Sequence, residues 1–463
     1  MPKAIHFISI GGSAMHNLAL ALQQQGFTIT GSDDEIYDPS RTRLQQHSLL
    51  PATAGWFPEK IHTGLDAVII GMHARRDNPE LVRAQELGLA IYSYPEFLYQ
   101  QCQQKQRVVI AGSHGKTTIT AMILHSLAFH NRAFDYLVGE QTEGFETMAK
   151  LTPEAPIIII EGDEYASSPI DPRPKFLHYQ PHIALINGIA WDHVNIYPSW
   201  ESYVDQFELL AEAMPKAGIL IFDESDNMLD VIGQKERTDI TKIPYQAHLS
   251  EVRNGQTYLI TKQGTKIPVS FFGEHNMKNV TGAMTVCDRI GITEDQFYAA
   301  IQTFKPVALR LQKIAEISVP NSVNRISFHD FAHSPAKVEA STEAVKHQYP
   351  NQRLLAIVEL HTVSSLSKTF LDEYKGTVDT ADQVVVYFNA NTQAYLNSAS
   401  PIRPEDVTNA FGHRNLKVFT ELEALKEYML AQVSTVDILL FMSSGVFDGL
   451  DIKAISDKLI QAS

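Results

Sequence analysis

RVVIAGSHGKTTITAMILHSLAF, residues 107–129, is the stretch that decides the fold class. An apolar, β-branched run leads into a short glycine-containing turn, and a segment with helical periodicity follows. This order predicts a parallel strand and the crossover helix after it. Two further stretches repeat it: AIHFISIGGSAMHNLALALQQQGF from Ala4 and RISFHDFAHSPAKVEASTEAVKHQY from Arg325. The sequence therefore predicts an α/β protein made of three successive parallel-sheet domains.

Polar and proline-containing segments suggest where these domains meet. The chain has 463 residues, which suits three domains of about 150 residues each. QQCQQKQ, residues 100–106, is predicted to be a linker or a frayed helix end, and FKPVALR, residues 304–310, carries a proline at a predicted hinge. We predict a Rossmann-like domain at 1–106, a P-loop ATPase-like domain at 107–307 and a second Rossmann-like domain at 308–463.

The composition excludes several classes of protein. The net charge of −15 disfavours binding to nucleic acid, which needs clustered Lys and Arg. Only Cys102 and Cys287 occur, far apart, so neither a disulfide framework nor a thiolate metal site is expected. The first residues lack the regions of a secretory signal, and the apolar runs are too short to span a membrane. We expect a cytoplasmic protein with no membrane partner, either a monomer or a homodimer.

AGSHGKTT, residues 111–118, predicts a phosphate-binding loop. Backbone N–H groups of such a turn converge on phosphate oxygens at the helix N-terminus. Lys116 would then hold the outer phosphates and Thr117 would bind Mg²⁺. Ile110 stands where the general P-loop has its first glycine, so the match is to the shorter G-x-x-G-K-T form. The alternative, a helix start without a ligand, is disfavoured by the strand before the turn and the helix after it.

Carboxylates follow two predicted strands of the same sheet. Glu161 and Glu164 come directly after PIIII, and Asp192 and His193 lie in the loop after a strand that ends at Asn187. Ligands collect at this edge of an open parallel sheet. Glu161 with His193 therefore predicts a Mg²⁺ site near the phosphates. The alternative for the Asp-His pair is an ordinary surface loop.

The N-terminal segment carries a second glycine-rich turn, SIGGSAM, residues 9–15. GSDD ends the next predicted strand and puts Ser32 and Asp33 where a doubly wound domain meets a ribose or a base. An NAD site is the competing interpretation. It is disfavoured because the G-x-G-x-x-G spacing is incomplete and nothing nearby suits hydride chemistry.

Two later segments suit a role in domain closure. Asn276 and Asn279 lie one helical turn apart in GEHNMKN, so their amides share a face and can read an adenine edge or bridge to another domain. The alternative is that one of them caps the helix. Asp330 and His333 follow a strand in HDFAHSP, where an isolated carboxylate is more often structural.

Together, GSHGKTT, EGDE, N-x-x-x-x-DH, GEHN-x-x-N, a lone Arg310 and HDFAHSP resemble the Mur ligase family in order and spacing. The resemblance spans the whole chain and implies an ATP-dependent amide-bond ligase of peptidoglycan synthesis with ATP and Mg²⁺ as cofactors. It implies catalytic roles for Lys116, Glu161, His193, Arg310 and Asp330. It implies metal binding by Thr117, Glu161 and His193. The ATP contacts it implies are Gly112, His114, Gly115, Lys116, Thr117, Thr118, Asn276, Asn279, Arg310 and Asp330. The UDP-sugar contacts it implies are Gly11, Gly12, Ser13, Ser32, Asp33 and His73.

Two members of the family have this kind of UDP-sugar domain. One adds L-alanine to UDP-N-acetylmuramate, and the other adds the recycled tripeptide L-Ala-γ-D-Glu-meso-diaminopimelate. EGDEYASSPIDPRPKFLHYQP, residues 161–181, and GSDDEIYDPS, residues 31–40, resemble the tripeptide enzyme, which we favour. The L-alanine enzyme is the first alternative. A nucleotide-dependent switch or scaffold that forms no bond is the second.

The chain departs from the family at three points. Ala166 replaces a usual aspartate, and VELHTVSS, residues 358–365, lacks an arginine that relatives carry. Glu208 stands where several Mur ligases have a carbamylated lysine. We predict that its carboxylate serves the same Mg²⁺-binding purpose.

Overall fold

The structure is a computed structural model that describes residues 3–72, 74–139, 145, 147–253, 255–317, 324–391 and 401–461. The chain divides into two compact units. The first unit comprises Met1–Ile189, Val204–Gln246 and Gly282–Ala300, and the second comprises Ala190–Tyr203, Ala247–Thr281 and Ile301–Ser463. Across the ranges described, no helix is long and apolar enough to cross a membrane.

A four-stranded parallel sheet opens the first unit, in the order β2-β1-β3-β4. Its strands are β1 (Ala4–Ile8), β2 (Thr28–Ser32), β3 (Ala67–Ile70) and β4 (Ile91–Ser93). Its helices are α1 (Ser13–Gln24), α2 (Ser40–Gln46), α3 (Pro79–Glu86) and α4 (Tyr94–Cys102). The alternation of apolar strand and helix buries one cluster around Val68, Ile70 and Leu81. The predicted N-terminal α/β domain is confirmed.

A seven-stranded sheet follows, in the order β13-β12-β11-β5-β8-β6-β7. Its strands are β5 (Gln106–Ala111), β6 (Asp135–Leu137), β7 (Ala149–Lys150), β8 (Ile157–Glu161), β11 (Ile183–Ile186), β12 (Ile219–Asp223) and β13 (Thr241–Tyr245). All pairings are parallel except β6 with β7. The helices after these strands are α5 (Lys116–Phe129), α6 (Trp200–Glu212) and α7 (Asn227–Gln234).

The central strand β5 explains why this sheet forms. Val108, Val109 and Ile110 are fully buried, as a strand covered by helices on both faces requires. Its neighbours in the sheet are β8 and β11. The carboxyl ends of these three strands therefore meet at one edge of the sheet.

A small hairpin lies between β8 and β11. β9 (Ala166–Ser168) pairs antiparallel with β10 (Asp171–Pro174), and a short 3-10 helix, Lys175–His178, follows. The predicted linker at residues 100–106 is mostly regular structure, because α4 continues to Cys102 and β5 begins at Gln106. Only residues 103–105 connect the two sheets.

The second unit holds two sheets. Three antiparallel strands form the smaller one: β14 (Ser250–Arg253), β15 (Gln256–Ile260) and β16 (Lys266–Val269). Six strands form the larger one: β17 (Gln312–Ile317), β18 (Arg325–Asp330), β19 (Leu354–Glu359), β20 (Gln383–Tyr387), β21 (Leu416–Phe419) and β22 (Ile438–Met442). Their order is β17-β18-β22-β19-β20-β21, and only β17 runs antiparallel.

The remaining helices are α8 (Glu274–Arg289), α9 (Glu294–Ile301), α10 (Pro335–Gln348), α11 (Pro404–Phe411), α12 (Leu422–Gln432) and α13 (Ile452–Gln461). Apolar clusters cover both faces of the six-stranded sheet, one around Phe328 and Val384 and the other around Leu355 and Phe441. Three mainly parallel α/β sheets confirm the predicted fold class. The first two share one unit, and the boundaries proposed at 106 and 307 stay predictions.

Candidate active site

The predicted phosphate loop connects β5 to α5, and its backbone needs glycine at two positions. Gly112 has φ of 123° and Gly115, the residue before α5, has φ of 75°. A Cβ on Gly112 would lie 2.8 Å from the backbone nitrogen of Asn187. The Ser113 N–H donates to the Gly188 carbonyl at 3.0 Å. The loop is therefore packed against the end of β11, and a side chain at position 112 would displace it.

Lys116 begins α5, and its ammonium group contacts two oxygen acceptors. Its Nζ donates to the Gly112 carbonyl at 2.5 Å and forms an ion pair with Glu164 at 2.8 Å. Burial opposes the charge, but Glu164 and Asp163 outweigh it and keep the pKa of Lys116 above its ordinary value. The lysine is thus a cation at neutral pH. A triphosphate in the loop would compete with Glu164 for it.

Thr117 and Glu161, two of the predicted metal ligands, lie together. The Thr117 hydroxyl donates to Glu161 Oε1 at 2.8 Å, and the Gly139 N–H donates to Oε2 at 2.8 Å. Octahedral Mg²⁺ with bonds of 2.0–2.1 Å places neighbouring oxygens about 2.8–3.0 Å apart. The spacing of these two oxygens therefore fits adjacent positions around such an ion.

Residues that the sequence did not single out complete this edge of the sheet. Lys175, from the short helix after the hairpin, pairs with Asp163 at 2.5 Å. The Tyr245 hydroxyl donates to Asn187 Oδ1, and Asn187 Nδ2 donates to the His114 carbonyl at 3.3 Å. Lys175 lies in the run already noted for its resemblance, whereas Tyr245 ends an ordinary strand and gave no signal.

The N-terminal glycine turn forms a second local site. The Gly11 N–H donates to Asp33 Oδ2 at 2.7 Å, and a Cβ on Gly11 would lie 2.9 Å from that oxygen. Burial raises the pKa of Asp33 to about 6. Lys60, which the sequence analysis missed, donates to the hydroxyl of buried Ser32 at 3.2 Å. Gly11, Ser32 and Asp33 are thus brought together as predicted.

Two of the other predicted UDP-sugar contacts belong to the same turn. Gly12 precedes α1, and Ser13 is its first residue. His73 lies outside the described residues. The role of all six residues in binding a ligand stays a prediction.

In the second unit, Asp192 and His193 belong to a network rather than a plain surface loop. The Asp192 carboxylate accepts the His193 N–H at 2.7 Å and the Ser364 hydroxyl at 3.1 Å. Burial opposes its charge, but His193 and Lys337 keep the pKa of Asp192 below its ordinary value. His193 has φ of 55°, a left-handed conformation that a non-glycine residue adopts only when its surroundings impose it.

The asparagines and Asp330 are also buried in the second unit. Asn279 Nδ2 donates to Asn276 Oδ1 at 3.2 Å, so the two amides share a face as predicted. Helix α8 begins at Glu274, so neither asparagine is its cap and the capping alternative is wrong. Asp330 ends β18 and accepts a hydrogen bond from the Ser341 hydroxyl.

Arg310 lies in a strained stretch of backbone. Its guanidinium covers the Phe331 ring at 4.7 Å from the ring centre. Leu309 and Leu311 on either side have φ of 56° and 49°. Left-handed non-glycine residues cost about 1–3 kcal/mol each, and two of them around one arginine indicate that its position is imposed by the fold.

The predicted residues therefore fall into two sets. Lys116, Thr117 and Glu161 are gathered in the first unit, with Gly112, His114, Gly115 and Thr118 around them. His193, Asn276, Asn279, Arg310 and Asp330 belong to the second unit. The assembly of both sets into one site stays a prediction. Glu208 pairs with Lys235 at 2.6 Å, and its part in metal binding also stays a prediction.

Three domain families match in succession: "Mur ligase family, catalytic domain" at residues 4–106, "Mur ligase middle domain" at 110–287 and "Mur ligase, glutamate ligase domain" at 309–445.

Individual relatives divide between two reactions. The UDP-N-acetylmuramate–L-alanyl-γ-D-glutamyl-meso-2,6-diaminoheptandioate ligase of Haemophilus influenzae is 26% identical over 473 residues, which cover 99% of each chain. The UDP-N-acetylmuramate–L-alanine ligase of Caldicellulosiruptor bescii is 30% identical over 400 residues, which cover 82% of each chain. The crystal structure of a murein peptide ligase from Psychrobacter arcticus has a TM-score of 0.65 and 24% identity, covering 99% of this chain and 98% of that one.

Proposed function

The chain belongs to the Mur ligase family of ATP-dependent ligases that form C–N bonds, and from this premise we propose that it joins UDP-N-acetylmuramate to L-Ala-γ-D-Glu-meso-diaminopimelate. The observation that carries the choice of acceptor is the segment between Glu164 and β11. It folds as the β9–β10 hairpin and the 3-10 helix Lys175–His178, and it holds Asp163 through Lys175 beside the phosphate loop. Its sequence resembles that of the tripeptide-adding ligases.

ATP is needed because a carboxylate does not react with an amine in water. In the proposed reaction the lactyl carboxylate oxygen of the muramic acid attacks the γ-phosphorus, and ADP leaves. The neutral amine of the L-alanyl residue then attacks the acyl carbon of the acyl phosphate. Phosphate leaves with the C–O bonding electrons, and the nitrogen loses a proton to give the amide.

The residues of the first unit have defined tasks in this proposal. Lys116 is a cation beside the loop, so it offsets charge on the transferring phosphoryl group. Thr117 and Glu161 would hold Mg²⁺, since their oxygens lie 2.8 Å apart. When bound, Mg²⁺ supplies electrostatic neutralisation of the phosphate oxygens. We assign the UDP-sugar to the turn of Gly11, Gly12 and Ser13 with Ser32 and Asp33.

The residues of the second unit are proposed to complete the ATP site. We assign Asn276 and Asn279 to the nucleotide, and Arg310 and Asp330 to its closure. His193 is the proposed third metal ligand. Closure of a site on bound substrates excludes water, which would otherwise hydrolyse the acyl phosphate.

The second candidate is an L-alanine-adding ligase, which the 30% identity to the Caldicellulosiruptor bescii enzyme favours. One assay separates the two. Phosphate release is measured with UDP-N-acetylmuramate, ATP and Mg²⁺, given either L-alanine or the tripeptide, and the product is identified by mass. We expect the tripeptide to be used with the higher kcat/KM. A higher kcat/KM for free L-alanine would overturn the choice of acceptor while leaving the ligase reaction intact.

A further inference from the structure

Three potential metal ligands from separate elements converge in a cluster that contains none of the residues predicted to bind phosphate. Glu96 lies on α4, Asp171 begins β10, and His178 ends the 3-10 helix after the hairpin. One donor atom from each lies within 4.8 Å of the other two. All three residues belong to the first unit. None of them has a task in the proposed ligase reaction.

His178 is the independent sign that this cluster binds a ligand. Its side chain is only 6% exposed, and its Nε2 lies 3.2 Å from Asp171 Oδ2. Asp171 is the one group paired with that buried nitrogen among the described residues, and the pair lacks the geometry of a good hydrogen bond. In the tautomer that carries its proton on Nδ1, Nε2 presents a lone pair to a metal ion placed between it and the Asp171 carboxylate.

Arg173 is the cation now beside the cluster. Its guanidinium donates to both oxygens of Asp171, at 2.9 and 2.7 Å, and approaches Glu96 Oε1 at 3.5 Å. The Arg173 side chain is 60% exposed, whereas that of Asp171 is 14% exposed. The guanidinium can therefore turn into solvent, and a metal ion that takes its place would supply the positive charge beside both carboxylates.

We propose that Glu96, Asp171 and His178 form a binding site for a divalent transition-metal ion of the zinc type. One imidazole and two carboxylates are ligands that Zn²⁺ accepts, with water in the fourth position. Tetrahedral bonds of 2.0–2.2 Å place donors about 3.4 Å apart, and the pair of His178 Nε2 and Asp171 Oδ2 is already at 3.2 Å. Glu96 can supply Oε1 once Arg173 turns away, because its Oε2 accepts the backbone N–H and the hydroxyl of Ser93.

The ion would clamp helix α4 to the hairpin segment. Lys175 lies between Asp171 and His178 in the sequence and pairs with Asp163 at 2.5 Å. Metal binding to Asp171 and His178 therefore restrains residues 171–178, which include Lys175. The expected consequence is a rise in thermal stability, and it depends on no part of the proposed ligase reaction.

Zinc titration of the full-length protein tests the proposal. Affinity is measured by competition with a chromophoric chelator, with millimolar Mg²⁺ present to occupy the hard-oxygen site. We expect one zinc ion to bind and the unfolding temperature to rise. His178→Ala and Glu96→Gln should each weaken this site by at least about tenfold. His47→Ala, which removes an exposed histidine of the same unit, is the matched control and should leave the affinity unchanged.

Arg173→Ala should instead tighten zinc binding, because it removes the competing cation. Substitution with Co²⁺ should give the intense visible absorption of a four-coordinate ion, and Glu96→Gln should remove it. Circular dichroism identifies a variant that fails to fold. If His178→Ala fails to fold, Glu96→Gln still tests the site, because glutamine keeps the shape of the glutamate side chain. Zinc affinity that is unchanged in the folded His178 and Glu96 variants would overturn the proposal. Ligase turnover in the same variants reports on the proposed function separately.

Discussion

Gly112→Ala should disable the phosphate loop, and the size of the effect follows from two features of the structure. The residue has φ of 123°, which side chains rarely adopt, and the new Cβ would lie 2.8 Å from the backbone nitrogen of Asn187. Unfavourable backbone conformation costs about 1–3 kcal/mol, and forcing atoms into a packed site costs about 1–3 kcal/mol more. The neighbour is backbone at the end of β11, so it cannot rotate away as a side chain would.

The matched control is Gly26→Ala. Gly26 has φ of 87° in the same unit, and a Cβ there meets nothing within 4 Å. Its substitution should therefore carry only the conformational cost, about 1–2 kcal/mol. The difference between the variants contains the steric clash in the loop, about 1–3 kcal/mol, and any difference in backbone cost between φ of 123° and φ of 87°.

Two assays read the outcome. Urea unfolding of the full-length protein should give a lower midpoint urea concentration for Gly112→Ala than for Gly26→Ala. Binding of a fluorescent ATP analogue with Mg²⁺ should be lost in Gly112→Ala and kept in Gly26→Ala, because only the former displaces the N–H groups that we propose to face the phosphates. Equal midpoints together with equal nucleotide affinity would refute the loop geometry and the role assigned to it.

Three other perturbations test neighbouring contacts. Thr117→Val removes the hydroxyl that donates to Glu161, a charge-assisted hydrogen bond of about 1.5–3 kcal/mol. Mg²⁺-dependent phosphate release should therefore fall at least about tenfold in this variant, whereas Thr117→Ser, which keeps a hydroxyl, should retain the activity. Lys116→Ala leaves Glu164 buried without its cation and should destabilise the protein by about 3 kcal/mol, whereas adding Glu164→Gln should restore the unfolding midpoint but not turnover. The folded-state pKa of Asp33 is raised to about 6 from an ordinary 3.8, so the protein should lose stability as pH rises from about 4 to 6. Asp33→Asn should then raise the free energy of unfolding at pH 7–8 by up to about 3 kcal/mol, with no gain below pH 4 in urea titrations.

Local sequence determined the elements and the turns between them. Apolar runs such as that of β5 become buried parallel strands because their side chains need cover on both faces, which helices supply. Gly112 and Gly115 mark the turn before α5 because left-handed backbone excludes side chains there. Both signals lie within a few residues of the feature they predict, so the three α/β sheets and the glycine turns at Gly112 and Gly11 could be predicted from the chain alone.

Tertiary structure alone decided which of these side chains meet. Thr117 reaches Glu161 because β5 and β8 are neighbours in the sheet, and Lys175 reaches Asp163 because the hairpin folds back on the end of β8. Glu96 meets Asp171 and His178 although the sequence showed no sign of it. The physical reason is that strand order and helix docking are set by the burial of the whole apolar surface. Hydrophobic attraction has no direction, so no local pattern records which distant polar residues it will bring together.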